Sequence, residues 1–251
     1  MSNKTLNTTR NYSPNFDTKK RNYRDIKFLI FHYTGMKNEK KAINRLTDYK
    51  SKVSCHYFIK KDGTTINMVP DLYISWHAGI SKWKKYNSLN TNSIGVEISN
   101  PGHNFKYKKF SQIQIVSIIN LSKILIKKYK IKSKNILGHS DIAPTRKKDP
   151  GEKFPWKYLS KNKVSLWHNL SKKSLIVKRK QNINNFQKKQ FIQNLLKFGY
   201  PQDKSFNKAK YSKFLTIAFQ RRFRPELVNG IIDQECLVVS SNLIKNSNKT
   251  S

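Results

Sequence analysis

The chain has 251 residues, of which 37% are hydrophobic, with 14 Phe, 12 Tyr and 4 Trp. That is enough apolar material for a packed core, so a globally disordered chain is excluded. Fifty-one Lys and Arg against 14 Asp and Glu give a net charge of +37, a field that attracts polyanions but specifies neither fold nor site. The lysines run from end to end of a sequence also rich in Asn and Ile, as AT-biased coding favours, so the charge reads first as solvated faces.

In chain order, residues 1–25 are polar and read as an N-terminal arm. IKFLIFHYT is a short apolar run of β-formers, suited to a buried strand. Ala42, Ile43, Leu46 and Tyr49 then recur with helical spacing. CHYFIKKDGTTINMV predicts two strands joined across Lys61-Asp62-Gly63, a hairpin signal. SIGVEIS is a further apolar strand carrying one carboxylate, Glu97. After Ser111, apolar residues at Ile115, Ile118, Ile119, Leu121, Ile124 and Leu125 predict an amphipathic helix, with lysines crowding its C-terminal turn as the helix dipole favours. NILGHS is a short strand leading into the polar loop DIAPTRKKDPGEKFPW. Strands alternating with helices argue an α/β domain over residues 26–169.

Residues 170–184 are rich in Lys and Asn and read as a linker. FQKKQFIQNLLKFGY, KYSKFLTIAFQRRF and DQECLVVSSNLIKN follow as three helices of a small C-terminal domain, residues 185–251, with Asp233 as a cap for the last. The two cysteines, Cys55 and Cys236, lie far apart and outside any CxxC pair, which supports neither a disulfide framework nor a cysteine metal site. No segment approaches the roughly 18 apolar residues of a membrane span. The first 24 residues contain no apolar stretch of a secretory signal, so a cytoplasmic protein is expected, with the cell envelope as the alternative.

Six histidines are present: His32, His56, His77, His103, His139 and His168. Hydrolytic zinc needs three protein ligands and an open position for water. His32 and His139 each end a predicted strand, and Asp149 follows ten residues later in a loop. Strand ends of α/β sheets commonly face a ligand crevice, so these three are able to converge. Glu97 has two readings: an outward-facing residue of an alternating strand, or a base that takes a proton from an attacking water. Spacing alone leaves both open.

FHYTG, SCHYFIKKDG, WHAG, NSIGVEIS and GHSDIAPTRKKDPGEKFPW, in this order, resemble the type-2 N-acetylmuramoyl-L-alanine amidases over about residues 26–165. The resemblance implies a central mixed β-sheet flanked by helices and a zinc hydrolase acting on peptidoglycan or muropeptides. It implies zinc ligands at His32, His139 and Asp149, a catalytic acid at Glu97, and at Lys147 a cation that stabilises the tetrahedral intermediate. His56 and His77 fall in family blocks and are candidate substrate contacts, with a hydrogen-bonded structural role as the other reading. Trp76 stacks on a sugar or fills core. His103 and His168 lie outside the blocks and are expected at the surface, and Asp141 is expected to organise the loop after His139. FLTIAFQRRFRP and NGIIDQE resemble, more weakly, a small three-helix peptidoglycan-binding module; the other reading is a helical extension that only packs on the amidase. A monomer is expected. No helix-turn-helix, zinc-finger or RNP signature is present, so no specific nucleic-acid partner is expected.

Overall fold

The computed structural model describes residues 8–249. Its frame is a six-stranded mixed sheet. The centre is β3 (Phe28–Tyr33), with β9 (Ser93–Ile98) parallel on one side and β10 (Ile136–Gly138) parallel on the other. Beyond β9 lie β4 (Tyr57–Ile59), parallel to it, and β5 (Thr65–Asn67), antiparallel to β4 as the hairpin signal predicts. β1 (Thr8–Arg10) closes the edge in parallel with β5. Two short ribbons, β2 (Phe16–Asp17) with β6 (Ile74–Ser75) and β7 (Lys82–Trp83) with β8 (Tyr86–Asn87), complete the strands. The N-terminal arm is therefore built into the fold from residue 8 onward; residues 1–7 lie outside the described part.

Side chains alternate across a strand, so the sheet has two distinct faces. On one, Leu29, Phe31, Ile94, Val96, Ile98 and Ile136 meet α2 (Gln112–Tyr129) and α4 (Trp156–Lys161) through Ile118, Leu121, Leu125 and Leu159. α2 starts where the sequence places it, because Ser111 Oγ accepts from Gln114 N and Gln114 Oε1 accepts from Ser111 N, a reciprocal cap.

The other face is covered in two pieces. At the β4–β5 end, Phe58 and Ile66 pack under Ala42 and Leu46 of α1 (Glu39–Thr47). At the β3–β10 end, Phe28, Ile30 and Leu137 share a core with Phe191, Leu195, Leu215, Phe219 and Leu243 of the C-terminal helices. The middle of this face, along β9 and the end of β3, carries Ser93, Gly95, Glu97 and His32 instead of apolar side chains. That interruption is where the site forms.

The three predicted C-terminal helices are present as α6 (Asn185–Phe198), α7 (Lys208–Phe223) and α8 (Gln234–Lys249), and Asp233 Oδ1 accepts from Cys236 N at 3.0 Å. The short α3 (His139–Ile142) precedes α4, and between α4 and α6 lies α5 (Lys172–Arg179), a helix inside the stretch expected as a linker. α5 buries Leu175, and Arg179 Nε donates to Glu235 Oε2 at 2.6 Å. The helical region shares its core with the sheet. Trp83 of the β7–β8 ribbon, fully buried, packs on Phe198 and Tyr200, and Gly199 leaves it room: a Cβ there would lie 2.5 Å from the indole. Removing a buried indole of this kind costs about 3–5 kcal/mol.

Candidate active site

His32 is the fifth residue of β3 and pairs in register with Glu97 of β9, so the two project from the same face of adjacent parallel strands. His139 follows β10 directly and opens α3, which brings it beside His32. The loop after α3 folds back, and Ser140 N donates to Asp149 O at 2.8 Å, which returns Asp149 to the same point. Three strand ends and one loop thus supply the donors, as the α/β reading expects.

His32 Nδ1 lies 2.9 Å from His139 Nδ1 and 3.0 Å from Asp149 Oδ2, and His139 Nδ1 is 3.0 Å from the same oxygen. Among the described residues these three form the group able to hold a metal ion. His139 Nε2 is 3.0 Å from the Ala78 carbonyl, which only accepts; a ring hydrogen is therefore on Nε2, and Nδ1 is the nitrogen turned inward as the ligand atom. Imidazole nitrogens and a carboxylate oxygen converging at such distances repel unless a cation lies among them, so the donor set fits a metal ion. Burial, with His139 adding to it, pushes the His32 imidazole down to about 4, and a neutral imidazole is the form that ligates. Burial would raise the Asp149 carboxyl, but the two imidazoles beside it, His139 foremost, hold it well below the usual carboxylate range.

The cleft above this group has a volume of about 470 Å³ and is lined by His139, Asp149, Glu97, Lys147, Trp76 and Arg146 among others, with His32 sealed beneath. Glu97 Oε2 is buried without a hydrogen-bond partner. Burial pushes its carboxyl up to about 8; Asp149 adds to the rise and Lys147 opposes it. Lys147 is half-buried, held by its backbone N–H on Ala143 O at 3.0 Å. Trp76 is half-buried on the cleft wall, with Nε1 donating to Asp17 Oδ1 at 2.8 Å.

His56 is not brought to the cleft. It is fully buried: Nδ1 accepts from Gly95 N at 3.0 Å and lies 2.8 Å from Ser75 Oγ, while Nε2 lies 3.1 Å from Tyr73 O and 2.9 Å from Arg21 Nη2. Both nitrogens are occupied, so the hydrogen-bonded structural reading is the one the geometry supports. His77 lines the cleft and also meets His32, with Nδ1 3.0 Å from His32 Nε2 and Nε2 3.1 Å from Ser93 Oγ. His103, expected at the surface, is half-buried between Tyr33 and Glu152, at 2.8 and 3.0 Å. His168 is likewise half-buried and faces a cavity beside α5. Asp141 organises the loop: Oδ2 accepts from Gly138 N at 2.8 Å and from Arg222 Nη1 at 2.6 Å, and Oδ1 accepts from Tyr200 at 2.7 Å.

Sequence reasoning passed over Ser93, Gly95 and Asn90. Gly95 had a signal, since glycine inside a strand often marks close approach of another group. A Cβ on it would lie 2.3 Å from the His77 ring. Asn90 Oδ1 accepts from the backbone N–H groups of His77 and Ala78, at 3.1 and 2.7 Å, and so fixes both residues beside the donor group.

Residues 22–152 match the family described as N-acetylmuramoyl-L-alanine amidase. N-acetylmuramoyl-L-alanine amidase AmiD of Escherichia coli is 32% identical over 235 residues, spanning 89% of this chain and 84% of AmiD. The 1,6-anhydro-N-acetylmuramyl-L-alanine amidase AmpD of Haemophilus influenzae is 32% identical over 167 residues, spanning 59% of this chain and 88% of AmpD. The structure of E. coli AmiD, in complex with the substrate anhydro-N-acetylmuramic acid-L-Ala-D-γ-Glu-L-Lys, superposes with a TM-score of 0.78 at 29% identity over 92% of this chain and 93% of AmiD. AmpDH3 of Pseudomonas aeruginosa superposes with a TM-score of 0.78 at 27% identity over 94% of this chain and 97% of its own. With its mixed sheet and its converging His32, His139 and Asp149 in place, the chain belongs to the N-acetylmuramoyl-L-alanine amidase family.

Proposed function

We propose that this amidase is a monomeric zinc enzyme that hydrolyses the amide between the lactyl group of N-acetylmuramic acid and L-alanine, in peptidoglycan or its fragments. The supporting observation is the convergence of His32, His139 and Asp149 at 2.9–3.0 Å beneath a cleft that also holds Glu97 and Lys147. All five residues come from one chain, so the site needs no second copy.

His32, His139 and Asp149 hold the zinc, which when bound supplies Lewis acidity toward the scissile carbonyl and lowers the pKa of water. Glu97 takes a proton from the attacking water as its oxygen bonds to the lactyl carbonyl carbon. The same carboxyl then gives that proton to the amine nitrogen of L-alanine as the C–N bond breaks. An unpartnered buried Oε2 suits both duties, because no competing donor holds it. Lys147, a cation on the cleft wall, offsets the negative charge that develops on the carbonyl oxygen. Trp76 offers an indole face to the glycan side of the substrate.

The test is direct. The zinc-loaded protein is incubated with intact sacculi and, separately, with anhydromuropeptides, and released peptides are followed by mass spectrometry beside His32→Ala and Glu97→Ala. Peptide release by the unaltered protein alone is expected. The arm that is cleaved faster separates action on intact wall in the envelope from recycling of fragments in the cytoplasm. No release from either substrate, or full activity in both variants, would sink the assignment.

A further inference from the structure

We propose that His77 and Ser93 are positioning residues that fix the tautomer of His32, through an unbroken line of hydrogen bonds running from the Leu89 carbonyl to the inward-facing Nδ1 of His32. The inference rests on the reading of His32 as a metal ligand, and it gives His77, which lines the cleft, a role toward His32 in addition to the substrate contact expected of it.

Elimination gives the direction of every bond. The Leu89 carbonyl can only accept, so the Ser93 hydroxyl, 2.5 Å away, donates to it. A hydroxyl has one hydrogen. Toward His77 Nε2, at 3.1 Å, Ser93 Oγ therefore accepts, and the proton of His77 is on Nε2. His77 is buried and neither of its ring nitrogens meets a carboxylate, so the ring carries a single hydrogen. A neutral ring with hydrogen on Nε2 has a bare Nδ1. That atom lies 3.0 Å from His32 Nε2, so His32 Nε2–H donates to it. As a ligand His32 carries one ring hydrogen, and with that hydrogen on Nε2 its bare Nδ1 is directed at His139 Nδ1 and Asp149 Oδ2. Were His77 to carry its proton on Nδ1 instead, His32 Nε2 would have to accept, and a hydrogen on His32 Nδ1 would point into the donor set.

The surroundings leave His77 little freedom to do otherwise. Gly95 lies against its ring at a distance no Cβ would permit. Asn90 Oδ1 holds its backbone N–H and that of Ala78, and the Ala78 carbonyl fixes His139 by the same logic, through Nε2–H. One short turn (Leu89–Asn92) thus sets the inward nitrogens of both histidines. Partners behind metal-bound histidines commonly matter by about 10- to 100-fold in metal affinity.

Two measurements test this on the full chain. In metal-free wild-type protein, long-range proton–nitrogen NMR of the histidine rings should show both His77 and His32 protonated on Nε2. His77 protonated on Nδ1 would overturn the proposal without any variant being made. Zinc affinity, read by competition with a chromophoric chelator, should fall about 10- to 100-fold in Ser93→Ala and return to within about threefold of wild type in Ser93→Thr, which keeps the hydroxyl. Unaltered affinity in Ser93→Ala would also overturn it. If wild-type protein takes up no zinc, the metal reading fails instead, and the ring tautomers still decide the relay by themselves.

Discussion

Arg222 donates from Nη1 to Asp141 Oδ2 at 2.6 Å, each side chain being only 1% exposed. The pair joins α7 to the turn that presents His139, and Arg222 Nη2 adds a bond to the Ile136 carbonyl of β10 at 2.9 Å. The guanidinium also lies 4.5 Å from the ring of Trp156, which reduces the cost of burying it. With Tyr200 on the other carboxylate oxygen, the C-terminal helices and the strand end are one mechanical unit.

Breaking that pair from one side should be severe. Arg222→Met leaves the Asp141 carboxylate buried with only Tyr200 and the Gly138 N–H, and the loss of stability should be about 3–5 kcal/mol by urea unfolding. The double variant Arg222→Met/Asp141→Asn should lose less than the sum of its two single variants. Additive losses would show that the two side chains are not coupled.

Gly95→Ala should damage the site with the strand left in place. Its new Cβ meets the His77 ring at 2.3 Å, and the ring has no slack because both nitrogens are bonded. Overpacking of this kind costs about 1–3 kcal/mol. Zinc uptake should weaken alongside, measured by the same chelator competition; unchanged uptake and stability would mean that the ring yields freely.

What the sequence disclosed follows from which features are local. β3, β9 and α2 were legible because their apolar spacing repeats within a few residues, and His32, Glu97 and His139 were legible with them. The register that sets His32 beside Glu97 was not, because strand pairing across 65 residues leaves no local trace. β1 was missed since its three side chains are all exposed and only its backbone pairs. α5 was read as linker because it buries just Leu175, too little to show a period. Asp141 carried a motif, but nothing in the sequence marks Arg222 as the cation, out of 51 Lys and Arg, that would be buried against it. The blocks place His56 and His77 alike at the substrate, whereas His56 lies in a buried hydrogen-bond network away from the cleft and His77 lines the cleft while bonding to His32 and Ser93.

Lys147→Met should lower kcat by about 10²–10³ with little change in KM, since the ammonium is needed where charge develops. Glu97→Gln should lower kcat by about 10²–10⁴ while zinc content stays stoichiometric. Steady-state kinetics with metal analysis of the same samples separates these roles. A variant that loses its metal along with its activity would place that residue in the metal site.

Chelation should abolish activity, and zinc alone should restore it. Because the donors converge only in the folded chain, zinc should also stabilise it, by about 2.7 kcal/mol at a free concentration one hundred times the dissociation constant. His32→Ala should show no such zinc-dependent rise in thermal midpoint. A rise as large as that of the wild type would locate the stabilising ion elsewhere.

The metal-free protein should reveal Glu97 through its pH dependence. Burial, reinforced by Asp149, raises the carboxyl from an ordinary 4.5 to about 8 in the folded chain. Between those values the folded state binds more protons than the unfolded state, so this group's contribution is intact near pH 4.5 and is lost as pH rises through 8. Glu97→Gln has no such titration. Its stability relative to the wild type should therefore climb from pH 5 to pH 8, by an amount on the order of 1–3 kcal/mol in urea unfolding. Subtracting the two curves cancels the buried histidines, which act in the opposite sense below pH ~6.5 in both proteins. Zinc should flatten the difference, because a cation beside the carboxylate favours its charged form. A difference that stays constant with pH in the metal-free proteins would mean that Glu97 is ionised and solvated in the folded chain, and that it meets the attacking water already as a carboxylate.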